Sequence, residues 1–162
     1  MAIRSFIGKV NPDNTITAIY CHYDGYPEGV GAMLHYYYYD SDIVNALLAG
    51  GDISQLEPCI ERPDGHSFKT PVPGHTVFYM RDRGDDSPAS TYSSIEAFKD
   101  AAHQVSAEYA YLMMGETWMV LSRFSNEWEP LENVLRVCAS RIGNLKVPGL
   151  AEAAKLLDSI GA

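Results

Sequence analysis

Two short stretches of this chain concentrate side chains that can do chemistry. The first, "YCHYD" (residues 20–24), sets a thiol, an imidazole, a carboxylate and two phenols within five positions. The second, "RDRG" (residues 81–84), places a guanidinium on each side of a carboxylate. A histidine with an aspartate two residues on can act as a general base and its orienting group. Two neighbouring guanidiniums suit a phosphate or a carboxylate. Should both stretches end strands at one sheet edge, His22, Asp24, Arg81 and Arg83 would form a nucleotide or small-molecule site, sequestering or hydrolytic.

Each stretch also has a structural reading. Alternate side chains of a strand share a face, which groups Tyr20, His22 and Asp24 and sets Cys21 with Tyr23. Cys21 and His22 then point apart and form no catalytic dyad. Asp24-Gly25 is a turn dipeptide whose aspartate can accept backbone N–H groups at the corner and at the start of the next helix. Pro27 suits a first helical position. Gly25, Gly29 and Gly31 match neither nucleotide-loop spacing, and Asp24 and Glu28 would repel a phosphate, so these glycines read as points of close packing. Arg81 and Arg83, on one face of an expected strand with Asp82 opposite, can equally pair with the chain's own acids.

The remaining motifs are weaker. Histidines 22, 35, 66, 75 and 103 fall at neither H-x-x-x-H nor H-E-x-x-H spacing. His22, His66 and His75 would need loops to gather them, and no metal or cofactor is expected. No G-x-S-x-G elbow occurs, and no catalytic residue is assigned. In "HYYYY" (residues 35–39), four successive helical tyrosines point all round, two into the core and two outward. Tyrosine is a rigid amphipathic anchor at interfaces, so Tyr36 and Tyr39 are interface candidates, with Tyr26 beside the corner.

The elements that must position these groups follow from periodicity. Residues 5–10 and 15–23 flank "NPDN" and read as a hairpin. A helix follows Pro27, with Val30, Met33, Leu34, Tyr37 and Tyr38 on its apolar face. Asp40-Ser41 caps a second helix that buries Ile43, Val44 and Leu47 and stops at Gly50. Residues 51–74 read as loop with a short strand at best, and residues 75–84 as a strand. Ser94 caps a helix over 95–103. Residues 107–124 read as a second hairpin turning near 114–116. Two amphipathic helices follow, one from Pro130 and one from Val147. Irregularly mixed strands and helices point to an α+β fold: a mostly antiparallel sheet of two hairpins plus a central strand, with helices on one face. The expected organisation is a single domain over 1–128 with a C-terminal helical extension, 129–162, packed on it.

Length and composition agree with this. The 162 residues are one domain's worth, and 46% hydrophobic with 20% charged residues is the balance of a folded chain. The net charge of −9, from 21 acids and 12 bases, argues against direct nucleic-acid binding and against anionic membranes. It suits a protein partner with a basic surface. Cys21, Cys59 and Cys138 show no C-x-x-C spacing and read as free thiols in a reducing, cytoplasmic compartment. The N-terminal segment lacks the apolar core of a signal peptide.

Four blocks, "IYCHYDGYPEGVG" (19–31), "VNALLAGGDISQL" (44–56), "RDRG" and "YAYLMMGETWMV" (109–120), resemble a set of small bacteriophage and prophage proteins of unassigned function. In those sequences the first block commonly reads I-Y-C-H-W-D-G-Y, and here Tyr23 replaces the tryptophan. The resemblance covers roughly residues 5–120 and brings no catalytic residue with it. It implies a phage-encoded intracellular protein that binds and modulates a host protein, antiviral defence such as CRISPR complexes among the targets.

Overall fold

The computed structural model describes residues 2–125 and 127–142. Strands β1 (Ser5–Val10) and β2 (Ile16–Cys21) form the expected hairpin, paired Phe6↔Tyr20 and Val10↔Ile16. Asn14, at φ 67°, takes the left-handed turn position that asparagine tolerates. A tight turn, Pro27–Gly31, runs directly into α1 (Ala32–Tyr37). In α2 (Ser41–Ala49), the Asp40 carboxylate accepts the Asp42 N–H at 3.2 Å, as a cap should.

Strands β3 (Ile53–Gln55) and β4 (Val77–Phe78) are short, and β4 leads straight into α3 (Tyr79–Arg83). This corrects the strand expected over 75–84. The Asp82 carboxylate reaches back to the Phe78 N–H at 2.8 Å and winds the chain into a helical turn, much as a capping-box acid does. Gly84, at φ 83°, ends it. β5 (Ser90–Tyr92) precedes α4 (Ile95–Gln104), whose Ser94 hydroxyl accepts the Ala97 N–H. The second hairpin, β6 (Tyr109–Met114) and β7 (Thr117–Ser122), turns where expected, and β8 (Glu129–Pro130) leads into α5 (Leu131–Ile142). The helix expected from Val147 lies outside the described residues.

The fold is α+β. The sheet order is β4-β3-β2-β1-β6-β7-β8, with β5 paired to the first half of β2 on the edge that its last residue shares with β3. The sheet is mixed: β1 runs parallel to β6 and β2 parallel to β3, and the other ladders are antiparallel. Alternation along the strands feeds two cores. Ile7, Ile19, Tyr111 and Val120 meet Leu34, Leu47, Leu131 and Leu135 on one face. Phe6, Ile16, Leu112 and Leu121 meet Phe98 and Ala102 on the other. Helices therefore cover both faces, α1, α2 and α5 on one and α4 on the other, rather than the single face expected. The reason is that the strands are apolar on both sides, as in "SFIG" and "ITAIYC", and each apolar face must be covered. α5 buries Leu131 and Leu135 in the same core as the N-terminal hairpin. Among the described residues no helix is long and apolar enough to cross a membrane.

Candidate functional site

The corner after β2 is held by backbone rather than by catalytic groups. His22 and Tyr23 donate their N–H groups to Ile53 and Ser54 carbonyls, extending β2 along β3. Asp24 then adopts φ 58°, which breaks the strand alternation. The Gly25 N–H donates to the Ile3 carbonyl, and its own carbonyl accepts the Tyr111 hydroxyl at 2.6 Å. A Cβ on Gly25 would sit 2.7 Å from that Ile3 oxygen, so only glycine fits. The Asp24 backbone carbonyl accepts the Val30 N–H. Its carboxylate accepts the Tyr26 hydroxyl at 3.4 Å, so the helix start is secured by the Asp24 main chain and not by its side chain.

Alternation does separate Cys21 from His22. Cys21 is fully buried, and burial pushes its thiol up to about 12, which makes it inert. His22 is half-buried and its Nδ1 lies 2.7 Å from the Tyr20 hydroxyl. Burial first, and then the charge of Arg4, hold the His22 imidazole below its ordinary value. No hydrogen bond joins His22 to Asp24 among the described residues, so the base-and-orienter pair is not assembled.

The arginines are not brought to this corner. β4 runs antiparallel to β3, with Ile53↔Phe78 and Gln55↔Val77, so the chain after Phe78 travels away from the end where Asp24 sits. In α3, Arg81 donates to both Asp82 oxygens (2.9 and 3.1 Å), to the Ile60 carbonyl (2.6 Å) and to the Thr76 carbonyl (3.1 Å). Its guanidinium also lies over the Phe78 ring. Arg83 pairs with Asp85 at 2.6 Å and lies over the Phe68 and Tyr79 rings. Both guanidiniums fix the loop around residues 60–85.

The centre of that loop is a pair that periodicity did not single out. The Asp82 side chain is fully buried and accepts from Phe78 N–H, Arg81 and His66 Nε2, the last at 3.2 Å. His66 Nδ1 accepts the Val72 N–H at 3.0 Å, so its proton sits on Nε2 and is donated to Asp82. Burial acts to raise the Asp82 carboxyl, but the Arg81 and Phe78 hydrogen bonds and the neighbouring charges outweigh it and hold it below the ordinary value. His66 and Asp82 resemble a catalytic pair in composition, yet every ring nitrogen and both carboxylate oxygens already have internal partners. Among the described residues no group of three or more His, Cys, Asp or Glu side chains converges on a metal-sized site.

The tyrosines divide by side. Tyr38 is buried, with its hydroxyl on the Glu57 carbonyl and its carbonyl accepting the Trp118 indole N–H. Tyr36 packs partly buried against the first core. Tyr38 turns in as expected, but Tyr37, also expected inward, is 46% exposed because the helix ends there; Tyr39 is 67% exposed and Tyr26 36%. Tyr37 borders a groove of about 450 Å³ lined by Ile43, Ala46, Pro58, Cys59 and Ile60, with Asp42 and Glu61 at its rim.

A second groove, of about 530 Å³, opens on the opposite face of the sheet and is lined in part by Arg4, Phe6, Tyr20, Asp52 and Tyr92. Arg4 escaped notice in the sequence because it stands alone in "MAIRSF". Comparison with family models, characterised proteins and solved structures finds no match to this chain.

Proposed function

We propose that this chain is a stoichiometric protein-binding module that engages a basic segment of a host protein through the corner between α1 and α2. The observation that supports this most is the groove beside Tyr37. Exposed Tyr37 borders an apolar floor of Ile43, Pro58 and Ile60, exposed Tyr39 follows two residues on, and Asp42 and Glu61 add acidic groups to the lining. Aromatic anchors over an apolar centre with a charged edge are the anatomy of an interface hot spot. The rim and the net charge of −9 select a basic partner and speed its approach. The resemblance to phage and prophage proteins points to a host protein as that partner, with antiviral defence, CRISPR complexes included, as one class of target. Arg81 and Arg83, the groups on which a nucleotide site was to rest, donate to the chain's own acids and carbonyls, which favours binding over turnover.

The test is affinity capture from host lysate with the natural chain and with a Tyr37→Ser/Tyr39→Ser double variant. The expected result is one partner in stoichiometric amount, released as salt is raised and held at least about thirtyfold more weakly by the variant, the loss of a 2 kcal/mol hot spot. Recovery of the same proteins by both chains, or of none, counts against the reading.

A further inference from the structure

The face of the sheet opposite α1 and α2 carries a second, chemically different opening. The β1–β2 register sets Phe6 opposite Tyr20, and one step further along the same face it sets Arg4 opposite His22. β5 brings Ser90 and Tyr92 alongside Ala18 and Ile16. Of these, Arg4, Phe6, Ala18, Tyr20, Ser90 and Tyr92 wall the groove of about 530 Å³, within the roughly 300–1,000 Å³ of small-molecule sites. We propose that this groove binds a small aromatic anion, a planar ring carrying a phosphate or carboxylate, with the anion on Arg4 and the ring against Phe6, Tyr20 and Tyr92.

Arg4 is the strongest part of the case. Arg62, Arg81, Arg83 and Arg136 each have a carboxylate within ion-pair distance. Arg4 is half-buried, and its recorded partner is the Val105 carbonyl at 3.2 Å; among the described residues no carboxylate pairs with it. In a chain with 21 acids, a partly desolvated guanidinium without an acid is a vacancy for an external anion. The Tyr20 hydroxyl pins the neighbouring His22 ring through Nδ1, and the Arg4 charge is felt at that ring.

The floor and Asp52 set the rest of the ligand. Phe6 contacts Tyr20 edge-on at 6.5 Å between centroids and Tyr92 at 6.3 Å, a continuous aromatic surface for a ring to lie on. Asp52 also lines the groove, with one oxygen on the Tyr20 N–H and the other on the Ser87 hydroxyl. Its charge repels an anion there and so orients the ligand with its neutral end toward Asp52 and Ser90. The same Asp52 bond satisfies the β2 edge between β5 and β3, so the groove does not invite an added strand.

The experiment titrates the full chain with phenyl phosphate and with benzoate, following amide shifts by NMR, and uses inorganic phosphate and benzyl alcohol as half-ligands. Saturable binding of phenyl phosphate or benzoate is expected, at least about tenfold tighter than either half-ligand, with shifts centred on residues 4, 20, 22 and 92. Arg4→Gln is expected to weaken it at least about tenfold and Arg4→Lys less, since lysine keeps the charge but not the fork. Tyr92→Ala, which leaves the Arg4–Val105 bond in place, is expected to weaken it severalfold and serves if the Arg4 variants disturb the fold. No saturable binding up to about 10 mM, an inorganic-phosphate affinity equal to that of phenyl phosphate, or undiminished binding in both Arg4→Gln and Tyr92→Ala overturns the proposal.

Discussion

Arg81 donates to both oxygens of a fully buried Asp82 and to the Ile60 and Thr76 carbonyls. Arg4, half-buried on β1's approach, donates to the Val105 carbonyl and pairs with no carboxylate among the described residues. The two guanidiniums belong to one sheet and one acidic chain. Around Arg81 the donors and acceptors close on themselves: His66, Phe78 and Arg81 all converge on Asp82, and His66 is held from its other side by Val72. Around Arg4, the Tyr20–His22 bond fixes geometry and leaves capacity over. A dense run of charged residues thus signals cohesion when its bonds are complete, and recognition when they are not.

The comparison breaks most readily at Asp82. Asp82→Ala would orphan the Phe78 N–H and the His66 Nε2–H in a buried place and take the carboxylate from a partly exposed Arg81 that keeps the Ile60 and Thr76 carbonyls. The expected cost is about 3–5 kcal/mol, measured by urea unfolding. A loss below about 1 kcal/mol would mean that the hub is ornamental and that Arg81 is available to a ligand after all.

Acid provides the next largest effect. The Asp82 carboxyl is held below its ordinary value of 3.8 in the folded chain, against the pull of burial. A depressed carboxyl contributes stability that is full above 3.8 and is lost as pH falls through the folded-state value, because the unfolded chain takes up the proton first. The natural chain is therefore expected to lose stability on acidification in that window, and Asp82→Asn to show a flatter profile there. Equal slopes in the two chains would remove Asp82 from the acid response.

How much of this could be read in advance differs between the two regions. The hairpins and the Ser94 cap were legible because alternation and turn or cap residues are local signals. α3 was not: "HTVFYMRDRG" has strand composition, and the helix arises from one side chain reaching back to the Phe78 N–H. The parallel β1–β6 pairing joins Phe6 to Ala110 across most of the chain, and no local pattern encodes it. Arg4 stands alone in "MAIRSF", and which face it takes depends on the hairpin register, which the turn residues alone do not announce. The observed Val10↔Ile16 pairing sets Arg4 on the His22 face, and a one-residue slip exchanges faces.

The smallest expected effect is the sharpest test of the open side. Arg4→Gln removes a charge that has no acid partner, so unfolding free energy should change by less than about 1 kcal/mol, against several for Asp82→Ala. The same change should be visible at His22. Burial and the Arg4 charge both disfavour its imidazolium, burial the more. With glutamine at position 4 the burial remains and the repulsion goes, so the His22 titration, followed by NMR of its ring protons, should move upward yet stay below the ordinary 6.5. An unmoved His22 would place Arg4 too far away to share its face. A large loss of stability would make Arg4 a second Arg81, and the distinction between a closed cluster and an open one would fall.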